Sequence, residues 1–134
     1  MTVSKLTLNN FRNLKAVDIE FHQNINFFIG ANGSGKSSLL EALFYLGHGK
    51  SFRTNKIDNI VNIGQEQFVV SVKDHTHKQM GISRNVKTND VQIRIDGTKY
   101  SRLSELVKNI AVQIITPESF KLFFGGAKER RKFV

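Results

Sequence analysis

An α/β fold is what this sequence predicts, and three observations made in chain order carry the prediction. Residues 30–37 read Gly30-Ala31-Asn32-Gly33-Ser34-Gly35-Lys36-Ser37, the pattern G-x-x-x-x-G-K-[ST]. Ahead of it runs Ile25-Asn26-Phe27-Phe28-Ile29, a short apolar stretch suited to a buried parallel strand. Behind it, Ser37 to Leu46 has the spacing of an amphipathic helix, with Gly47 placed to end it. Strand, glycine-rich turn and helix in that order form the phosphate-binding loop of P-loop nucleotide hydrolases.

The chemistry of the loop assigns roles to its residues. Gly30, Gly33 and Gly35 let the backbone fold back and bring its N–H groups against phosphate oxygens, together with Ala31, Asn32 and Ser34. The positive end of the following helix points at the same anion. Lys36 supplies a point charge to the β- and γ-phosphates, and the Ser37 hydroxyl is a ligand for Mg²⁺. The bland alternative is a glycine-rich turn with a stray lysine, and the flanking strand and helix argue against it.

The remaining elements follow from periodicity. Leu6 and Leu8 alternate with Lys5, Thr7 and Asn9 in a half-buried strand, and Asn9 to Asn13 make a turn. Val17, Ile19 and Phe21 alternate in a second strand, so the two form an antiparallel pair ahead of the P-loop strand. Beyond the helix, Gly47 to Asn55 reads as a polar loop. Strands are expected over Gln67–Lys73, Gln79–Arg84 and Val91–Asp96, the last closing in an Asp96-Gly97 turn. A short helix over Ser104–Lys108 and an apolar strand over Ala111–Ile115 follow, the strand closing in Thr116-Pro117-Glu118. Glu118–Phe124 has the pattern of a short helix, ended by Gly125-Gly126. Residues 127–134 then open a helical pattern that stops without a cap, which suggests a truncated chain.

At 134 residues, 40% hydrophobic with 11 Phe, the chain reads as one globular domain, not a disordered segment. Lys and Arg total 20 against 11 Asp and Glu, a net +9 that favours polyanionic partners, nucleic acid first, although plain solvated surfaces also reach it. There is no cysteine, hence no disulfide framework and no thiolate metal site. With no signal-peptide pattern and no membrane-length apolar run, a cytoplasmic location and no membrane partner are expected. His75 and His77 alternate in a polar turn but lack a third metal ligand, and His48, between two glycines, reads as a loop residue.

Cleavage of a nucleotide needs more than this loop. An acidic residue at the end of a buried strand must also hold the metal ion, and the best later strand ends in Thr116-Pro117-Glu118, not Asp. The chain therefore reads as a nucleotide-binding half-site that should not hydrolyse ATP alone. Asn55-Lys56-Ile57-Asp58 matches the guanine-reading N-K-x-D of GTPases. It follows the P-loop helix with no intervening strand and no Asp-x-x-Gly element, so it is read as coincidence.

Leu6-Thr7-Leu8-Asn9-Asn10-Phe11-Arg12-Asn13, followed by Phe27 to Ser37, resembles the N-terminal lobe of the ABC-type ATPases of chromosome maintenance and repair. These include the SMC proteins and the RecF family. Leu46-Gly47-His48-Gly49-Lys50-Ser51-Phe52-Arg53, Ile114–Glu118 and Gly125–Phe133 narrow the resemblance to RecF, over essentially the whole chain. Ala127 departs from the proline common there. The resemblance implies an ABC-ATPase-like head lobe I, with a mixed core sheet and an antiparallel β subdomain, so that residues 1–134 are the N-terminal part of a single head domain. The helical lobe, signature sequence, Walker B acids and switch histidine would lie beyond it.

It also implies a function. Two ATPs are sandwiched between two heads, and the ATP-dependent homodimer binds DNA at single-strand gaps and duplex junctions. With other mediator proteins it helps load the recombinase, as a weak DNA-dependent ATPase. Carried onto this chain, Asn32, Gly33, Gly35, Lys36, Ser37 and Ser38 hold phosphate and Mg²⁺, with Arg12 and Asn13 beside the nucleotide and Arg12 directed to phosphate. The Q-loop falls near Gln113–Glu118, although no glutamine ends that strand. Lys50, Arg53, Lys128, Arg130, Arg131 and Lys132 are the candidate DNA contacts, against the alternative of a solvated charged face. A competing class is a nucleic-acid-binding module whose P-loop grips backbone phosphate and drives no hydrolysis.

Overall fold

The computed structural model describes residues 2–31 and 33–115. Asn32, the Thr116–Glu118 strand end, the two helical patterns near the C-terminus and the cluster Lys128, Arg130, Arg131 and Lys132 fall outside the described residues.

Among the described residues the chain forms one antiparallel sheet of order β2-β1-β3-β4-β5-β6. Its strands are β1 (Val3–Phe11), β2 (Leu14–Glu20), β3 (Gln67–Asp74), β4 (Gln79–Asn85), β5 (Val91–Ile95) and β6 (Thr98–Tyr100). Two helices, α1 (Lys36–His48) and α2 (Leu103–Val107), accompany it. Period-two alternation fixes the register: Leu6 stands opposite Val72 and Leu8 opposite Val70, while Ile82 stands opposite Val70 and Ile93. One face is thus apolar, and it packs against Ala42, Tyr45 and Leu46 of α1 and Leu106 of α2. Edge-to-face contacts of Phe68 with Phe11 and with Tyr45, both at 5.5 Å between ring centroids, tie β1, β3 and α1 together. The Tyr45 hydroxyl accepts from Arg84 Nη1 at 2.8 Å, and burial raises its pKa against the lowering effect of that arginine.

Most of the expected strands stand where the periodicity puts them, and β6 is added to them. Asp96 and Gly97 both have positive φ, 49° and 85°, the sign pattern of the type I′ turn that closes a two-residue hairpin between β5 and β6.

Two expected strands are corrected. Residues 25–29 and 111–115 form no ladder, because a strand is completed by neighbouring backbone and the described residues offer them none. In the first, Ile25, Phe27 and Ile29 are 69%, 85% and 95% exposed, and only Phe28 turns inward, edge-on to Phe21. All five pairings are antiparallel, so the parallel part of the expected mixed sheet is not represented among the described residues.

The end of α1 is also corrected. The helix passes through Gly47 and stops after His48, where Gly49, at φ 70°, donates its N–H to the Tyr45 carbonyl at 2.7 Å. Gly47 serves packing instead: a Cβ there would lie 2.6 Å from Val112 Cβ. His48 is the last helical residue, not a loop residue, and stacks on Phe44 with ring centroids 3.9 Å apart.

Candidate nucleotide-binding site

Helix α1 crosses the apolar face of the sheet with its N-terminus opening onto the glycine-rich loop. Gly35 is the N-cap at φ 103°, without a side chain to cap with, and the first turn holds no acidic residue. The helix offers no acceptor to the N–H groups of its first residues, so that end is left positive. Glycine is required here twice over, since a Cβ would also lie 2.8 Å from Leu14 Cδ2. Gly33, at φ 81°, needs glycine for its backbone alone, because nothing stands within 4 Å of its missing Cβ. The Lys36 ammonium folds back onto the Gly30 carbonyl, so the loop closes around its own lysine. Ser37 is exposed and Ser38 buried, which separates the two hydroxyls into an outward and an inward one.

The β1–β2 turn supports the loop from one side. Asn13 Nδ2 donates to the Gly33 carbonyl at 3.4 Å, and Asn13 Oδ1 accepts from Ser38 Oγ at 3.0 Å. Asn10 and Arg12 both have left-handed backbones, at φ 54° and 55°. Backbone bonds hold them there: Arg12 N–H to the Ile60 carbonyl at 2.6 Å, and Asn62 N–H to the Asn10 carbonyl at 2.8 Å. The Asn62 side chain also donates to the Arg12 carbonyl at 2.7 Å.

The Arg12 side chain is committed elsewhere than expected. Its Nε and Nη2 each donate to the Glu41 carboxylate at 2.9 Å, a bidentate pair on a carboxylate with no solvent exposure. Arg53 Nη1 reaches Oε2 of the same carboxylate at 3.3 Å, the oxygen that Arg12 Nε also holds, and the Ser51 hydroxyl donates to Oε1. Beside this cluster lies a concavity of about 430 Å³, walled by Arg12, Asn13, Ser38, Arg53, Asn62 and Ile63. Two of its wall residues tie it to the phosphate loop: Asn13 bonds to the Gly33 carbonyl and to Ser38, which follows the loop directly.

Gly30, Ala31, Gly33, Ser34, Gly35, Lys36, Ser37 and Ser38 thus lie in one loop and helix start, with Asn13 against them. Arg12 stands beside the loop but directs its charge into the protein. Arg53, expected at a DNA surface, meets the same carboxylate, while Lys50 is exposed beyond the far end of α1, about 20 Å along the helix. No group of three or more potential metal ligands occurs among the described residues, so His75 and His77 build no metal site there.

Sequence reasoning passed over Glu41, although a signal was present. Ser38, Glu41, Ala42, Tyr45 and Leu46 fall at i, i+3, i+4, i+7 and i+8, so Glu41 sits within the buried stripe of α1. It is also the only charged residue between Lys36 and His48.

Comparison with known proteins bears on this geometry. Residues 2–128 match the family model described as the RecF/RecN/SMC N terminal domain. The chain belongs to this family. A DNA replication and repair protein RecF from Colwellia psychrerythraea is 61% identical over 134 residues, covering all of this chain and 36% of that protein. The RecF of Pseudoalteromonas translucida is 47% identical and is covered to 37% of its length. Two solved structures superpose closely. One is of the recombination mediator protein RecF-ATP in the RecFOR pathway (TM-score 0.83, 31% identity, 98% of this chain and 37% of that one). The other is of RecF-ATPrS in the same pathway (TM-score 0.86, 32% identity, 98% and 36%). The chain therefore spans little more than a third of the RecF proteins it matches, and corresponds to their N-terminal, ABC-ATPase-like part.

Proposed function

We propose that this chain is the ATP-binding lobe of a RecF-type recombination mediator. The observation that carries the reading is the loop itself: two glycines in positive-φ backbone, an uncapped helix end and Lys36 folded onto the Gly30 carbonyl. A triphosphate entering the loop takes over Lys36 from that carbonyl and meets the N–H groups of residues 33–38. The adjoining concavity has room for the sugar and base.

Mg²⁺ fits one residue of the loop, Ser37, whose hydroxyl is exposed at the start of α1 and would share the ion with phosphate oxygens. When bound, the ion neutralises phosphate charge. Glu41, the nearest acid along the helix, is consumed by Arg12 and so is not a second ligand. In the longer protein, ATP brings two heads together, the dimer engages DNA at single-strand gaps, and with partner mediators it helps load the recombinase. The net charge of +9 and the mediator relatives support this wider role.

The test is a titration with fluorescent ATP and GTP analogues in the presence of Mg²⁺, for the wild-type chain and Lys36→Ala. ATP-selective binding that falls at least about tenfold in the variant supports the reading. Equal binding by the two proteins would remove it. If neither nucleotide binds while DNA binds with a steep salt dependence, the P-loop is a backbone-phosphate grip instead.

A further inference from the structure

Two arginines share one carboxylate beside the phosphate loop, and they do not share it equally. Arg12 makes two bonds of 2.9 Å, and its side chain is 20% exposed. Arg53 makes one contact of 3.3 Å, and its side chain is 39% exposed. Glu41 is wholly buried, so it must keep a cation: a buried carboxylate without one is strongly unfavourable. If Arg53 leaves, Glu41 retains the Arg12 fork and the Ser51 hydroxyl. If Arg12 leaves, the same hydroxyl and the single longer Arg53 contact remain, so the only cation left is the more weakly held one. Arg12 is held besides through the backbone bonds to Ile60 and Asn62, whereas the Arg53 and Thr54 amides hang on the one Ser51 hydroxyl, at 2.9 and 3.2 Å.

We propose that Glu41 determines which arginine can answer a phosphate group in the adjoining concavity: it retains Arg12 as part of the fold and stores Arg53 as a cation that a phosphate can draw away. Glu41 is in this sense a specificity-determining counter-ion. By occupying both guanidinium groups it lowers the pull of the concavity on any passing anion. A ligand whose other phosphates already sit in the loop can displace Arg53. The inference rests on the nucleotide reading of the P-loop. The chemistry it names is a phosphate oxygen, from either a nucleotide or a nucleic-acid backbone.

The experiment uses the full-length protein and compares wild type, Glu41→Gln, Arg53→Gln and the double variant. Affinities are measured for ATP, for inorganic tripolyphosphate and, without nucleotide, for a gapped DNA duplex. Glutamine keeps the shape at position 41 and removes the charge. We expect Glu41→Gln to strengthen tripolyphosphate or DNA binding roughly fivefold, with the ATP-to-tripolyphosphate preference reduced if the phosphate source is the nucleotide. The ligand that gains identifies the source. In the double variant the gain disappears.

A purely structural role for Glu41 would instead weaken every ligand. Weakened or unchanged binding of both tripolyphosphate and DNA in Glu41→Gln, or a gain that survives Arg53→Gln, overturns the proposal. Should Glu41→Gln fail to fold, Ser51→Ala loosens the Arg53 loop while leaving the carboxylate in place. It is expected to give a smaller gain of the same sign, and the absence of any gain would overturn the proposal equally. A Lys36→Ala variant run alongside separates the two readings: undiminished ATP binding there removes the nucleotide reading itself.

Discussion

Glu41 illustrates how much one side chain can organise. Its carboxylate joins the β1–β2 turn through Arg12, the helix that carries it, and the segment after α1 through Ser51 and Arg53. Removal of one partner from a buried pair costs far more than its formation contributes, because the remaining charge is stranded. The two arginines should therefore differ sharply in stability effect. Arg12→Met is expected to destabilise the protein by about 3 kcal/mol, and Arg53→Met, half in solvent, by less than about 1 kcal/mol. Equilibrium urea unfolding of the two variants beside wild type checks this, and equal losses would contradict the unequal sharing. The fully buried Glu41 was illegible to a reading in which charge means surface. The P-loop was legible because its chemistry depends on residue type at fixed spacing, whereas the Glu41 cluster depends on three segments meeting in space.

At the scale of elements, the sheet was the most readable part of the chain. Strand β3, alternating Phe68, Val70 and Val72 with Gln67, Val69, Ser71 and Lys73, carries its register in its sequence. The short β6 was not readable, because Thr98-Lys99-Tyr100 has too few residues for a period, and the turn before it does most to place it. Gly47 misled in the opposite way. Glycine near a helix end usually terminates it, and only the approach of Val112 reveals a packing role. The β3–β4 turn adds a pH-dependent element. Asp74 accepts from the Thr76 hydroxyl at 2.7 Å and from the Thr76 and Lys78 amides at 2.8 and 2.9 Å.

These bonds, the Thr76 hydroxyl foremost, hold the Asp74 carboxyl below its ordinary value of 3.8 despite the opposing effect of burial. A carboxylate lowered on folding stabilises the folded state above its unfolded pKa, and that contribution fades as pH falls through the lowered folded value. Asp74→Asn should accordingly melt below wild type at neutral pH, with the two curves converging as pH drops well under 3.8. A gap in melting temperature that stays constant from neutral to acid pH would show that the charge of Asp74 contributes nothing.

Over the whole molecule, the antiparallel sheet and α1 make a packed core, yet several large apolar side chains among the described residues stand outside it. Ile25, Phe27, Ile29 and Ile115 present large apolar side chains to solvent on segments that join no ladder among the described residues. The apolar stripe of Ile25, Phe27 and Ile29, on backbone outside every ladder of the described residues, is a template for another strand. Expressed by itself, the 134-residue chain is expected to self-associate despite its +9 charge, and to bind a hydrophobic dye. Phe27→Lys should shift it toward monomer on size-exclusion chromatography. A sharp monomer peak for the unaltered chain, without dye binding, would contradict this. The same stripe explains why residues 25–29 read as a buried strand: the residue pattern fits burial, but burial requires partners that the described residues do not supply.

The strand order carries a consequence in time. Strands β3 to β6 pair with their neighbours in sequence, so this meander can assemble soon after it leaves the ribosome. Strand β1 is different: beyond its hairpin with β2 it waits for β3, whose pairing of Val72 with Leu6 spans α1 and the long loop after it. A nascent chain that has passed the glycine-rich loop but not Asp74 thus holds the binding sequence without the surface against which α1 is seated. Nucleotide capture should begin only after β3 has been made, and chains arrested before and after that point should differ in retention on immobilised ATP.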